Sequence, residues 1–171
     1  MTDLDLCYLP ATDAIKRFKE KTLSPVELLD ALIRRAEEVE PVINAFTYRH
    51  FDEAMDKAKK AEAKYASGKR TRALEGLPIG IKDESFIKGK PTSSGSLIMK
   101  DFVADRTSVG NERIMRAGGI IHARTATPEF SAAFCTQSRL WGATRNPWNP
   151  EFTPGGSSGG TAASLAAGTS T

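Results

Sequence analysis

The sequence predicts an α/β layered domain, and three observations predict it. Amphipathic helical repeats with recognisable caps fill the first 70 or so residues. After Gly76, short apolar runs of strand type alternate with helical stretches. Near the end, Pro154-Gly155-Gly156-Ser157-Ser158-Gly159-Gly160 runs straight into the small-residue stretch Thr161 to Gly168. That last pattern describes a tight loop presenting Ser157 or Ser158 and then entering a helix, whose N-terminus offers unpaired N–H groups. A flexible Gly/Ser linker is the alternative, and the helix-forming alanines directly behind the loop argue against it.

The elements follow in order. Thr12 is placed to cap a short helix carrying Ala14, Ile15 and Phe18 on one side. Ser24-Pro25-Val26-Glu27 is a capping box with proline at the first helical position. Val26, Leu29, Ile33 and Ala36 recur behind it at helical spacing, and Pro41 is expected to close the helix. Ile43 to Tyr48 reads as a short strand. A further helix is expected from about Asp52 to Ser67, with Ala54, Met55, Ala58, Ala61 and Tyr65 on one face and Gly68 as its stop. Its lysines and glutamates read as a solvated face.

Leu77 to Asp83 is strand-like, and the proline and glycine inside it argue for a sheet edge or a close backbone approach. Gly89 to Ser96 reads as a loop. Thr107 to Ala117 reads as a helix with Val109, Ile114 and Ala117 inward and Gly118-Gly119 behind it. Ile120 to Ala123 is then a strand, Thr127-Pro128-Glu129 a turn or helix start, and Asn146 to Pro150 irregular because of its prolines.

Composition narrows the function classes. The chain has 171 residues, of which 40% are hydrophobic and 26% charged, enough for the core of one ordinary domain. A net charge of +3, with both signs mixed along the helices, is not the footprint of a nucleic-acid-binding surface. The two cysteines, Cys7 and Cys135, lie far apart, and His50 and His122 sit at no metal-ligand spacing, so neither a disulfide framework nor a metal site is expected. Met1 to Asp5 lacks the basic start of a signal peptide, and no apolar run approaches the ~20 residues that span a bilayer, so no membrane association and a cytoplasmic location are expected.

Gly155-Gly156-Ser157-Ser158-Gly159 satisfies G-x-S-x-G, the nucleophile elbow of α/β-hydrolases. The context opposes that assignment: the preceding residues are rich in proline and asparagine rather than strand-like, and both histidines precede the serine. A phosphate-binding loop also fails, because no Gly-Lys-Ser/Thr ends the run. The remaining candidate base is a lysine. Lys82 closes the apolar run at Leu77, where desolvation favours a neutral amine. Simple ion pairing of Lys82 with Asp83 or Glu84 is the competing reading.

Four segments together carry a resemblance. Gly76-Leu77-Pro78-Ile79-Gly80-Ile81-Lys82-Asp83, Thr127-Pro128-Glu129-Phe130, Gly142-Ala143-Thr144-Arg145-Asn146-Pro147-Trp148 and the Pro154–Gly160 loop resemble, in order and spacing, the amidase signature family. The resemblance implies a mixed β-sheet flanked by helices, with a helical segment over residues 1–70 and the first part of the α/β core over 71–171, incomplete at the C-terminus. It implies amide C–N bond hydrolysis by a Ser–Ser–Lys triad through an acyl-enzyme, with no metal or organic cofactor. Carried over by position, Lys82 is the catalytic lysine and Ser157 the bridging serine, held by a cis peptide bond. Gly155, Gly156 and Ser158 support the loop, and Ser131 falls where the family lines its substrate pocket.

Two departures accompany the resemblance. Ala123-Arg124-Thr125-Ala126-Thr127-Pro128-Glu129 stands where a Gly-Lys-Thr-Asn-hydrophobic-Pro-Glu pattern is more usual. The family's attacking serine lies some two dozen residues beyond the bridging one, past Thr171. The expectation is therefore that this serine lies beyond residue 171 or on another chain, and that a second polypeptide or a further C-terminal part completes the fold around a small-molecule amide. Within the family, the A subunit of the glutamine-dependent tRNA amidotransferase, a glutaminase, is the rival expectation. A non-catalytic interaction module or inactive fragment is the alternative from another class.

Overall fold

The structure, a computed structural model, describes residues 2–171. Three helices come first: α1 (Asp3–Cys7), α2 (Ala11–Glu20) and α3 (Pro25–Ile43). The capping box at Ser24 is present as read, with Ser24 Oγ accepting from Val26 and Glu27 N–H and Glu27 accepting back from Ser24 N–H. Two local readings differ. Helix α2 begins before Thr12, because the Pro10 carbonyl already accepts from Asp13 and Ala14, and Thr12 caps nothing. Pro41 does not end α3, which continues to Ile43 and closes on Asn44 in the left-handed region. Proline removes one donor from the ladder, and the final turn tolerates that loss. Glu40, buried beside it, accepts from Ala45 and Phe46 N–H and so starts the next strand.

That strand is β1 (Phe46–Arg49), followed by α4 (Phe51–Ala66), β2 (Pro78–Lys82), α5 (Val109–Arg116) and β3 (Ile120–Thr125). Helix α5 differs from expectation in its buried side: Val109 is 63% exposed, and Asn111 is buried instead, its amide donating to the Phe86 carbonyl. The sheet order is β1-β3-β2, with β3 antiparallel to β1 and parallel to β2, so the sheet is mixed. Central β3 is buried at every residue. Strand β2 lies at the edge of this sheet, where Gly80 N–H donates to Ser170 Oγ at 2.9 Å. A small hairpin too short to leave a periodic signal in the sequence, β4 (Gln137–Ser138) with β5 (Gly142–Ala143), precedes the glycine loop. Helix α6 (Gly159–Ala166) follows that loop directly.

Helices α3 and α4 pack on the sheet through Leu29, Ala54, Ala58 and Ile120, while α1 and α2 build a second cluster around Phe18, Leu28, Leu32 and Tyr65. Ala163 and Ala167 of the α6 region meet Ala36 of α3 and Ala123 of β3. Small side chains at this meeting let the helix come close to the sheet, and that closeness sets the position of the glycine loop. His122 of β3 is fully enclosed: its Nε2–H donates to the Thr169 carbonyl at 2.9 Å, and it stacks on Phe51. Burial pushes its pKa down from 6.5 to about 4. The unfolded chain therefore takes up this proton before the folded one does. The associated stability is fully present above pH 6.5 and is lost as pH falls toward about 4, a difference of about 3 kcal/mol. Urea unfolding at pH 7 and pH 4.5 is expected to show this loss in the wild type and a smaller one in His122→Gln. Equal losses in both proteins would place the acid sensitivity elsewhere.

Candidate active site

Two neighbours on one strand end separate into different environments. Asp83 follows the last residue of β2 but is still paired with β3 through its N–H to Thr125 O at 2.9 Å, so the alternation of faces along a strand extends to it. Lys82 accordingly reaches toward the glycine loop with 14% of its side chain exposed, whereas Asp83 turns inward and is fully buried. Lys82 Nζ lies 2.7 Å from Ser157 Oγ, joining residues 75 apart in the chain. The expected lysine and the expected bridging serine are thus brought together. The competing ion-pair reading is present as well, since Glu84 Oε1 stands 3.4 Å from the same Nζ and is the more exposed partner. Asp83 takes no part in that pair.

Asp83 instead anchors a sealed polar cluster. Its carboxylate accepts from Ser93 N–H at 3.1 Å and from the Ser93 hydroxyl, and Arg124 Nη2 lies 3.6 Å away. Burial pushes the Asp83 carboxyl up and the Arg124 guanidinium down, and their mutual attraction opposes both effects.

The loop itself is held by its glycines. The Gly156–Ser157 peptide is cis. A Cβ on Gly156 would stand 2.8 Å from the Phe134 carbonyl carbon and 2.9 Å from Ala133 O and Cys135 N, so the 133–135 backbone forms a wall that only glycine can approach. Thr136 clamps the loop from the same side, its hydroxyl donating to Gly155 O at 2.9 Å and accepting from Gly159 N–H at 3.0 Å. Sequence alone does not single out Thr136, because a lone threonine ahead of a hairpin carries no signal of its own. Ser158 occupies the N-cap of α6 without a side-chain cap bond; it is exposed, and only its carbonyl serves the helix.

At the start of α6 the approach is closer still. A Cβ on Gly160 would stand 2.3 Å from Ala126 N and 2.6 Å from Ala126 O, both backbone atoms that cannot swing aside. Gly160→Ala is therefore expected to lose about 1–3 kcal/mol, the cost of overpacking. Denaturant midpoints of the two proteins check this, and unchanged midpoints would show that the helix start yields freely.

Ser131 connects to Lys82 through Glu84. It takes positive φ, its hydroxyl donates to Glu84, and Thr127 Oγ1 is 2.9 Å away. Ser157, Lys82, Glu84, Ser131 and Thr127 thus form one continuous hydrogen-bonded and ion-paired chain. Glu84, which the sequence offers only as an ion-pair partner, is the link that joins its two halves. Among the described residues no group of three His, Cys, Asp or Glu side chains is placed to hold a metal ion, and no helix is long and apolar enough to cross a membrane.

A lysine amine on a serine hydroxyl, at a cis glycyl-serine bond over a mixed sheet flanked by helices, defines a class: α/β proteins carrying a Ser–Lys pair on a glycine loop. The profile of the Amidase family matches residues 27–171, and the chain belongs to that family, the amidase signature enzymes. The similarity extends to the A subunit of the glutamyl-tRNA(Gln) amidotransferase of Synechococcus sp. (strain CC9605), 40% identical over 146 residues, covering 85% of this chain and 30% of that protein. Its counterpart in Lachnoclostridium phytofermentans is 36% identical over 165 residues, covering 96% of this chain and 33% of the relative. Among solved structures, a bacterial aryl acylamidase superposes with a TM-score of 0.86 at 31% identity, over 91% of this chain and 33% of the other. Fatty acid amide hydrolase superposes with a TM-score of 0.93 at 26% identity, over 99% of this chain and 30% of the other. The chain thus spans about a third of the length of these relatives.

Proposed function

We propose that this chain carries the lysine and the bridging serine of an amide hydrolase that works through a serine acyl-enzyme, with the attacking serine supplied from outside residues 1–171. The observation that carries the reading is the 2.7 Å separation of Lys82 Nζ and Ser157 Oγ. The same separation serves a Ser157 Oγ–H donating to Lys82 Nζ, which is the direction that activation requires. The attacking hydroxyl passes its proton to Ser157 Oγ as the Ser157 proton passes to Lys82 Nζ. The new alkoxide bonds to the amide carbon, the C–N bond breaks, and the amine leaves with the proton returned through Ser157. Water then cleaves the ester by the same relay, and no cofactor enters any step.

The exposed apolar side chains Ile98, Phe134 and Trp148, at 82%, 95% and 88%, fit a surface that further chain covers. Labelling of the complete protein with a serine-reactive fluorophosphonate tests the proposal. Covalent labelling at a serine beyond residue 171 supports it, and absence of labelling in every assembly supports the non-catalytic reading instead.

The names of the curated relatives favour one particular version of this reading, in which the enzyme releases ammonia from glutamine as the A subunit of an amidotransferase. Glutaminase activity measured with and without candidate partner subunits separates it from a free-standing amidase. Turnover of simple amides, with no glutamine hydrolysis in any assembly, would rule that version out.

A further inference from the structure

Arg124 is the largest fully buried side chain in the described residues, with no exposed surface. It is also one of the positions at which this segment departs from the pattern it resembles, where lysine is more usual. A buried guanidinium is costly, and unsatisfied donors on it add to the cost. Yet Arg124 Nε and Nη1 have no hydrogen-bond partner. One nitrogen, Nη2, makes all of its hydrogen bonds, donating to the Lys82 carbonyl at 3.2 Å and to the Ser85 carbonyl at 2.6 Å. Asp83 stands 3.6 Å from the same nitrogen. The cation therefore sits on the turn by which β2 leaves the sheet, with Asp83 as its counter-charge.

The register explains what that turn controls. Arg124 lies opposite Ile81, and Thr125 opposite Lys82, in the parallel β2–β3 pair. Thr125 O accepts from Asp83 N–H at 2.9 Å, which closes the strand end just past Lys82. The end of β3 and the residue after it hold the other half of the site: Thr125 Oγ1 is 2.7 Å from Thr161 Oγ1, and Ala126 O accepts from Gly160 N–H at 3.2 Å. Three consecutive residues, Arg124, Thr125 and Ala126, thus set Lys82 on one side and the glycine loop on the other. Backbone bonds hold both sides, in the turn Ser85 N–H to Lys82 O at 3.1 Å and Ser94 N–H to Asp83 O at 2.8 Å, and in the Lys82–Ser85 turn the guanidinium adds a side-chain clamp on the Lys82 and Ser85 carbonyls.

We propose that Arg124 is a positioning residue for Lys82: by clamping the carbonyls of Lys82 and Ser85 from inside the sheet, it keeps Lys82 Nζ within hydrogen-bond reach of Ser157 Oγ. The proposal rests on the functional reading above. A misplacement of about 1 Å at a catalytic group costs on the order of 10²-fold in rate.

The test uses the complete protein, an amide that the wild type hydrolyses, and active sites counted by the end point of fluorophosphonate labelling. In folded Arg124→Met, kcat per labelled site is expected to fall about 100-fold with KM within about twofold of wild type. Arg124→Lys keeps a cation but reaches less of the turn, and is expected to fall about 10-fold, between the two. A purely structural arginine would lower thermal stability and the number of labelled sites while leaving kcat per site unchanged, and that result in either folded variant overturns the proposal. If Arg124→Met fails to fold, Arg124→Lys decides alone by the same criterion. Lys82→Met is run beside them. Wild-type turnover in that variant overturns the functional reading itself, whereas loss in Lys82→Met with wild-type kcat in the arginine variants overturns only the positioning role.

Discussion

Lys82→Ala is expected to lower amide turnover by the complete protein on the order of 10⁴-fold or more, the range seen when one member of a nucleophile-activating unit is removed. Its stability is expected to change by less than about 1 kcal/mol. The Lys82 side chain is 14% exposed, and its interactions are one hydrogen bond to Ser157 and one ion pair to Glu84, whose own side chain is 43% exposed. Partly exposed ion pairs contribute little to folding. Without the amine, Ser157 has no acceptor for its proton, and the relay stops at its first step. Ser157→Ala is expected to lose a comparable factor, and the double variant no more than the worse single one, because the two groups act as a unit. Independent, additive losses would mean that the two residues do not share one proton path, and the proposed mechanism would then fail.

The next residue in the chain behaves in the opposite way. Asp83→Ala is expected to destabilise the fold by about 3–5 kcal/mol, the penalty for breaking a buried ion pair and leaving its partner charged. Asp83 and Arg124 both have side chains with no exposed surface. Deleting the carboxylate removes the counter-charge of Arg124 and the acceptor for both Ser93 donors. Asp83→Asn keeps the shape and one acceptor oxygen, and so is expected to lose less. Urea titrations of the three proteins at neutral pH measure the order. A change below about 1 kcal/mol in Asp83→Ala would show that the cluster relaxes or hydrates when the charge is removed.

The contrast between these adjacent residues shows how far the sequence carries. Lys82 stands out in the sequence, because it ends an apolar run within a recognisable motif, and its partner Ser157 stands out in the glycine loop. That Asp83 faces the interior was not legible, since Lys-Asp at a strand end reads equally well as a surface pair. The face of each residue was decided by the pairing of β2 with β3, a partner some 40 residues away in the chain. The same holds for α5, where helical spacing placed Val109 inward and the packing against Phe86 selected Asn111. Thr136 and Glu84, which hold the loop and extend the Lys82 chain, carry no pattern of their own, and only folding gives them partners.

What the sequence by itself determined is what short-range chemistry determines. The capping box at Ser24, the helix behind it, the helix entered from the glycine loop and the α/β alternation all depend on residues a few positions apart. Family membership likewise followed from motifs with fixed order and spacing. Tertiary structure alone decided that β3 would be central, that residues 124–126 at its end would hold Lys82 on one side and the glycine loop on the other, and that Ser131 would bind Glu84, the ion-pair partner of Lys82. Each of these is a contact between distant segments, stabilised by burial and hydrogen bonding that exist only once the chain has closed on itself. The loop of Ser157 is thus readable as a motif, and its partner at 2.7 Å is a property of the fold.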